Sequence, residues 1–338
     1  MKCNFAQILV MKKILLIGAG RSSSSLISYL LGRAEDEKWE LTIADISKES
    51  ATTKVGGHPL GRAIAMDIHD SVLCTSEIEK ADLVISMLPA HMHISIAREC
   101  VRLKKHLVTA SYVSDEMKEL DKSAKDAGVI LLNECGLDPG IDHMSAMEVI
   151  DKVHANGGTF SSFKSYTGGL VAPESNDNPW GYKFSWNPKN VILAGQGTAR
   201  YIDKGKYKYL PYHRLYMHLE KCEIDGLGTF DGYPNRDSLS YRKIYNLENI
   251  STMIRGTFRQ EGFCKAWNVF VQLGLTDDTY KIEDASKLTW AGLTEAFLPQ
   301  DNEGKSLRSR LADFVSLSED DAAIKMVEWT GILEDKPL

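Results

Sequence analysis

Residues 12–31, KKILLIGAGRSSSSLISYLL, narrow the folds open to this chain more than any other stretch. A continuous apolar run ends in Gly18. A Gly18-Ala19-Gly20 turn follows, and after Arg21 and four serines residues 26–31 take up helical spacing. The order is buried strand, glycine turn, amphipathic helix. Gly18 permits a sharp turn, and Gly20 lets the backbone approach a pyrophosphate. The free N–H groups and positive dipole end of the helix that follows favour an anion. Arg21, Ser22 and Ser23 complete the same cradle. Ser23 stands where the third glycine of GxGxxG is expected, and serine is small enough to preserve helix–strand packing. Alone, the degraded pattern reads equally well as an ordinary strand-to-helix turn, so its surroundings decide.

Those surroundings repeat the alternation. Residues 41–44 form a second apolar strand ending at Asp45, which follows Gly20 by 25 residues. That is near the spacing at which a carboxylate meets the adenosine ribose hydroxyls. A carboxylate there repels a 2′-phosphate and so favours NAD over NADP; the plainer reading is a loop aspartate capping the next turn. Further strands are expected at 63–68, 81–88, 106–112 and 129–133, with helical spacing at 94–103 and a helix capped by Ser114 and ended by Gly128. Six strands alternating with helices predict an α/β domain over 1–142, a Rossmann doubly wound parallel sheet. Ligands of such sheets lie at the carboxyl ends of the strands. Beside the glycine turn and Asp45, this selects Asp67, Leu88, Pro89, Ala110, Leu137 and Gly140 for the cofactor. His91 and His93 flank the end of the fourth strand, either as a nicotinamide contact or as loop and helix-start residues.

After residue 143 the grammar changes. A helix at 143–153 is followed by strands at 159–166, 230–233 and 252–259, a long Pro-, Asn- and Trp-rich loop at 171–190, and a polar, aromatic stretch at 196–209. Helices are expected at 260–273, 285–298, 306–315 and 318–330. Strands followed by helices predict a second, α+β domain over 143–338, in keeping with two domains for 338 residues. No apolar run approaches the length of a membrane span. A net charge of -6 argues against a nucleic-acid partner. The six cysteines, Cys3, Cys74, Cys100, Cys135, Cys222 and Cys264, form no CxxC pair. No metal site is therefore expected, and reduced thiols in a cytoplasmic protein are. Residues 3–11 are too short and too weakly apolar for a secretory signal, and read as an upstream extension with Met11 as an alternative start.

Five segments occur in the order ASYVS (110–114), NECGLDPGIDH (133–143), SYTGGLVAPESNDNPWGYKFSW (165–186), YPNRDS (233–238) and IRGTFR (254–259). With them the chain closely resembles the saccharopine dehydrogenases of the glutamate-forming type. The resemblance implies a CH–NH oxidoreductase of lysine metabolism that uses NAD or NADP and forms a homodimer through its second domain. Its reaction oxidises saccharopine reversibly to glutamate and 2-aminoadipate 6-semialdehyde. It implies that Ser111 and Tyr112 contact the substrate, that Asp138 is the carboxylate near the substrate amine, and that residues 137–144 run along the cofactor. It also implies that Arg236 binds a substrate carboxylate and that Thr257, Phe258 and Arg259 form a second contact stretch. A substrate with several carboxylates needs arginines, and an amine oxidised and then hydrolysed needs a titratable group nearby. Each residue has a plainer reading: Asp138 as a turn residue, the arginines as surface ion pairs, Asp142 as a cap, Trp180 and Trp186 as loop packing.

Two departures stand out. The family's fungal members carry SYCGGL, with a cysteine near the reaction centre where this chain has Thr167. Threonine can hydrogen-bond but offers no thiolate; beside it as a catalytic candidate, the resemblance implies Asp138 as acid/base or electrostatic partner, with Tyr112 orienting. Asp45 is the second, since the NADP-using members lack this carboxylate. The family also extends beyond the position of Leu338, so the second domain is expected to be incomplete here. Three alternatives stay open: an imine reductase of the carboxynorspermidine or lysine-6-dehydrogenase type, a catalytically inactive nucleotide-binding protein, and a dimerisation module.

Overall fold

A computed structural model describes residues 11–193, 196–300 and 304–338. Cys3 and the upstream extension, including most of 3–11, lie outside the described residues. The chain divides into two compact units, one ending at Glu148 and the other running from Val149 to Leu338. The division falls inside the helix Ile141–Ala155, six residues beyond the expected boundary at 142.

The first unit is a six-stranded parallel sheet. Its strands are β1 (Lys12–Ile17), β2 (Trp39–Asp45), β3 (Gly61–Ala65), β4 (Leu83–Ser86), β5 (His106–Thr109) and β6 (Leu131–Leu132), in the order β3-β2-β1-β4-β5-β6. This is the doubly wound order expected from the alternation. Ile14, Leu15, Leu16 and Ile17 are all buried. Leu15 and Ile17 join one helix-covered core, Ile14 and Leu16 the other. A strand covered on both faces needs apolar side chains at every position, which is why β1 reads as a run rather than an alternation. β3 starts and ends earlier than the 63–68 expected; the Met66 N–H to Asp45 carbonyl bond, at 2.8 Å, is its last ladder contact with β2. The sixth strand is two residues long. Beyond it the backbone N–H groups of Glu134 and Cys135 bond the carbonyls of Ser111 and Thr109.

The second unit is built on a mixed sheet of β7 (Ser162–Thr167), β8 (Ala199–Asp203), β9 (Lys206–Leu210), β10 (Glu220–Ile224), β11 (Gly228–Pro234) and β12 (Thr252–Gln260). The order is β10-β11-β12-β8-β9, with β7 pairing parallel to β12. The polar, aromatic 196–209 stretch is largely a hairpin. Lys204 and Gly205, at φ 49 and 76, form its two-residue turn, the geometry that matches strand twist. β10 was likewise absent from the sequence reading. The helix Phe263–Leu273 covers the sheet, burying Phe263, Cys264, Ala266, Trp267 and Val269 against the helix Ala322–Trp329. Trp180 packs into this core and donates its indole N–H to the Met326 carbonyl at 2.9 Å; Trp186 is 41% exposed. Of the loop expected at 171–190, the last residues open the helix Pro188–Leu193. No helix among the described residues is long and apolar enough to cross a membrane.

Candidate active site

All six strands of the first unit point their carboxyl ends to one edge, and the residues selected from the sequence gather there. Gly18 turns the chain at φ 107, and a Cβ would meet the Met87 carbonyl oxygen at 2.9 Å, so only glycine lets β1 and the end of β4 approach so closely. Ser23 is fully buried and donates its hydroxyl to the Gly20 carbonyl at 2.8 Å. The degraded third position therefore still packs. Arg21 and Ser22 are exposed at the turn. Asp45 accepts the Ala19 N–H at 2.6 Å on one oxygen and the Ser47 N–H at 2.9 Å on the other. Each carboxylate oxygen keeps a further lone-pair site, enough for two ribose hydroxyls. The carboxylate thus sits directly on the glycine turn, where a dinucleotide fits. Lys54, which the sequence reading passed over, donates to the Gly20 carbonyl at 2.8 Å and to Ser24. Its place in the last turn of the helix Lys48–Val55 gave no signal of this.

Asp67 is exposed in the loop after β3, where its carboxylate accepts the His69 N–H at 2.9 Å. Leu88 and Pro89 follow Met87, whose N–H bonds the Ile17 carbonyl at 2.8 Å, so they adjoin the glycine turn. A cavity of about 290 Å³ lined by Lys13, Arg62, Glu77 and Lys80 opens at the amino ends of the strands, away from these groups.

The second cluster is made by residues 109–112 and 134–143. Gly136 donates its N–H to the Pro139 carbonyl at 2.9 Å, and Ile141 donates back to Gly136 at 3.0 Å. The Asp138–Pro139 peptide is cis. Gly140, at φ 149, is packed so closely that a Cβ would lie 2.0 Å from the Gly136 carbonyl oxygen. Gly140→Ala is expected to cost about 2–4 kcal/mol in urea unfolding and to displace Asp138. Asp142 caps this turn by accepting the Gly140 N–H at 2.9 Å, as expected. Ala110 lies against Gly136, while Leu137 is 73% exposed at the turn's outer corner. The closed turn presents Asp138 to β5, and the Tyr112 hydroxyl donates to Asp138 Oδ1 at 2.5 Å. The pair expected from the sequence is therefore joined.

His93 is where the sequence reading fell short. It does open a helix, His93–Leu103, as its plainer reading held, but its ring is buried among three hydroxyls. Nδ1 lies 2.8 Å from Ser86 Oγ, and Nε2 lies 2.8 Å from Ser111 Oγ and 3.1 Å from Thr109 Oγ1. Burial, aided by His91, lowers its pKa from 6.5 to about 4. A histidine depressed on folding is neutral in the native state but charges in the unfolded chain below its ordinary value. Its contribution is therefore intact above pH 6.5 and lost as pH falls towards 4. Wild-type stability should fall by roughly 3 kcal/mol more over that interval than that of His93→Asn. Urea unfolding at both ends of the interval checks this, and equal slopes would contradict it.

In the second unit, Thr167 of β7 pairs in register with Thr257 of β12, and Tyr233 of β11 pairs with Thr257 from the other side. Strand alternation puts Arg255, Thr257 and Arg259 on one face. Phe258 is on the other, its ring stacked on Tyr166 at 4.6 Å. Thr257 and Arg259 thus share a face, and the Phe258 side chain points to the opposite one. The Arg259 guanidinium lies over the rings of Tyr182 and Phe263, at 4.9 and 5.3 Å. Its Nε is buried without a hydrogen-bond partner among the described residues. Arg236, at φ 45, follows β11, and its carbonyl accepts the Arg200 N–H at 2.7 Å. Arg200 pairs with Asp237 at 2.9 Å. Among the described residues no group of acidic, histidine and cysteine side chains could hold a metal.

The model of the saccharopine dehydrogenase NADP binding domain matches residues 14–132, and that of the saccharopine dehydrogenase C-terminal domain matches 136–327. Saccharopine dehydrogenase [NADP(+), L-glutamate-forming] of Pyricularia oryzae is 36% identical over 331 residues, covering 97% of this chain and 73% of its own length. The mitochondrial alpha-aminoadipic semialdehyde synthase of Mus musculus is 35% identical over 343 residues, 99% of this chain but 36% of its own length. The solved apo saccharopine dehydrogenase (L-Glu forming) of Saccharomyces cerevisiae superposes with a TM-score of 0.83 at 31% identity, covering 97% of this chain and 74% of that one.

Proposed function

The chain belongs to the saccharopine dehydrogenase family, and on that premise we propose how it works. It is an oxidoreductase that converts saccharopine, water and an oxidised nicotinamide dinucleotide to glutamate, 2-aminoadipate 6-semialdehyde, the reduced dinucleotide and a proton. A bound nicotinamide supplies the hydride acceptor. The Gly18–Ser23 turn, Asp45 and the Leu88-Pro89 loop hold the dinucleotide. The Tyr112–Asp138 pair, 2.5 Å apart at the carboxyl edge of a dinucleotide fold, carries the reading. Asp138 takes the proton that the substrate ammonium must lose before its neighbouring carbon gives up a hydride. Once that proton has passed to solvent, the carboxylate draws another from the water that attacks the imine, and returns it to the departing glutamate nitrogen. Tyr112 holds the carboxylate oriented. Thr167 and Thr257 orient water or substrate by hydroxyl contact. Arg236 and Arg259 bind substrate carboxylates.

The cofactor of this chain, within the nicotinamide dinucleotides, is proposed to be NAD. The Asp45 carboxylate on the glycine turn supports this, although the fungal relatives are named for NADP(+). A homodimer and residence in the cytoplasm are further proposals. The dimer comes from the family resemblance. The cytoplasmic reading rests on the cysteines, of which Cys74, Cys100, Cys135, Cys222 and Cys264 are all free thiols. Sedimentation checks the first and fractionation of cells the second. Thr167 in place of cysteine favours testing a second class, the carboxynorspermidine and lysine-6-dehydrogenase imines. Saccharopine-dependent growth of nicotinamide absorbance supports the main reading; absorbance only with another amino-acid imine supports the second.

A further inference from the structure

His93 is 3% exposed, and Ser86 and Thr109, its neighbours at the ends of β4 and β5, are each 1% exposed. Ser111 is half-buried. Of the three hydroxyls around the ring, only that of Ser111 therefore reaches from the interior to the strand ends where Tyr112 and Asp138 pair. Ser111 is also held by its backbone, its N–H donating to Thr109 Oγ1 at 3.3 Å and its carbonyl accepting the Glu134 N–H at 3.1 Å. These two bonds fix the chain on either side but leave the side-chain torsion free. The contact that selects one rotamer is the 2.8 Å bond between Ser111 Oγ and His93 Nε2, while Nδ1 anchors the ring on Ser86. The imidazole is neutral here, with one nitrogen donating and one accepting, so it pairs with hydroxyls of either polarity without a counter-ion.

We propose that His93 is a positioning residue, which through Nε2 locks the Ser111 hydroxyl in the orientation that meets the substrate. The inference rests on the reading of Ser111 as a substrate contact. It assigns the two ring nitrogens different duties, which separates it from a general packing role. Nδ1 serves the fold through Ser86, and Nε2, which also meets Thr109 Oγ1 at 3.1 Å, serves the substrate through Ser111.

The two amide residues test this division, since glutamine places a polar atom near the position of Nε2 and asparagine near that of Nδ1. With the purified full chain, His93→Asn should raise the KM for saccharopine about tenfold, the loss of one hydrogen bond. His93→Gln should stay within about threefold of wild type. NADH affinity, read by fluorescence, should hold within about twofold in both. In a Ser111→Ala background the asparagine effect should vanish. Equal KM values for the two variants, or an asparagine effect that persists without the Ser111 hydroxyl, overturns the proposal. Should wild type fail to turn saccharopine over, the functional reading fails separately. The His93 imidazole nitrogen-15 signals still decide the contact: Ser111→Ala should move the Nε2 resonance more than Nδ1, and an unmoved Nε2 overturns the proposal.

Discussion

Asp138→Asn is expected to lower kcat for saccharopine a hundred- to ten-thousandfold, about the range that general acid–base groups supply, with dinucleotide affinity held within about twofold. Asparagine matches the aspartate in shape and can still accept the Tyr112 hydroxyl, so the turn closed by Gly136 and Gly140 should persist. What it lacks is a transferable proton at the carboxylate. The reaction moves protons at several points, from the ammonium, from the attacking water and to the leaving amine, and Thr167 cannot substitute for a thiolate in any of them. Tyr112→Phe removes only a hydrogen bond to a charged group, and should cost about ten- to a hundredfold. Stopped-flow with saccharopine and the dinucleotide separates chemistry from binding. An asparagine variant within threefold of wild-type kcat would place the acid/base elsewhere.

Exchanging the cofactor preference should have an effect of similar size. Wild type should use NAD over NADP by about a hundredfold in kcat/KM, since bringing a 2′-phosphate against the Asp45 carboxylate costs several kcal/mol. Ile46, 76% exposed directly after it, is where an arginine could meet that phosphate. The double variant Asp45→Ser, Ile46→Arg should therefore reverse the preference. Asp45 also holds the Ala19 and Ser47 N–H groups, so serine is chosen to keep an oxygen there. A wild-type preference for NADP would contradict this reading and align the chain with its fungal relatives' names.

Much of the first unit could be read directly, because a strand buried on both faces is a run of apolar residues and a run ended by glycine is conspicuous. The Tyr112–Asp138 pairing was legible only through the family's segments; no spacing argument joins residues 26 apart. The hairpin of β8 and β9 was missed because β9 alternates lysine with tyrosine, with only Leu210 of it buried. β10 was missed although Asp225-Gly226 is a turn pair, since the strand before it reads as charged. The stretch Thr257–Arg259 came from the family's segments; the structure adds that the Phe258 side chain lies on the face opposite Thr257 and Arg259. The burial of His93 has no sequence signature, because its hydroxyl partners come from the ends of two other elements, β4 and β5.

The most direct test of the account is product identity. Purified protein given saccharopine and NAD should release glutamate and NADH in equal amounts, with the semialdehyde as the second carbon product. Lysine and 2-oxoglutarate in place of glutamate would show oxidation on the other side of the nitrogen, and no NADH from saccharopine at all would contradict the assigned reaction.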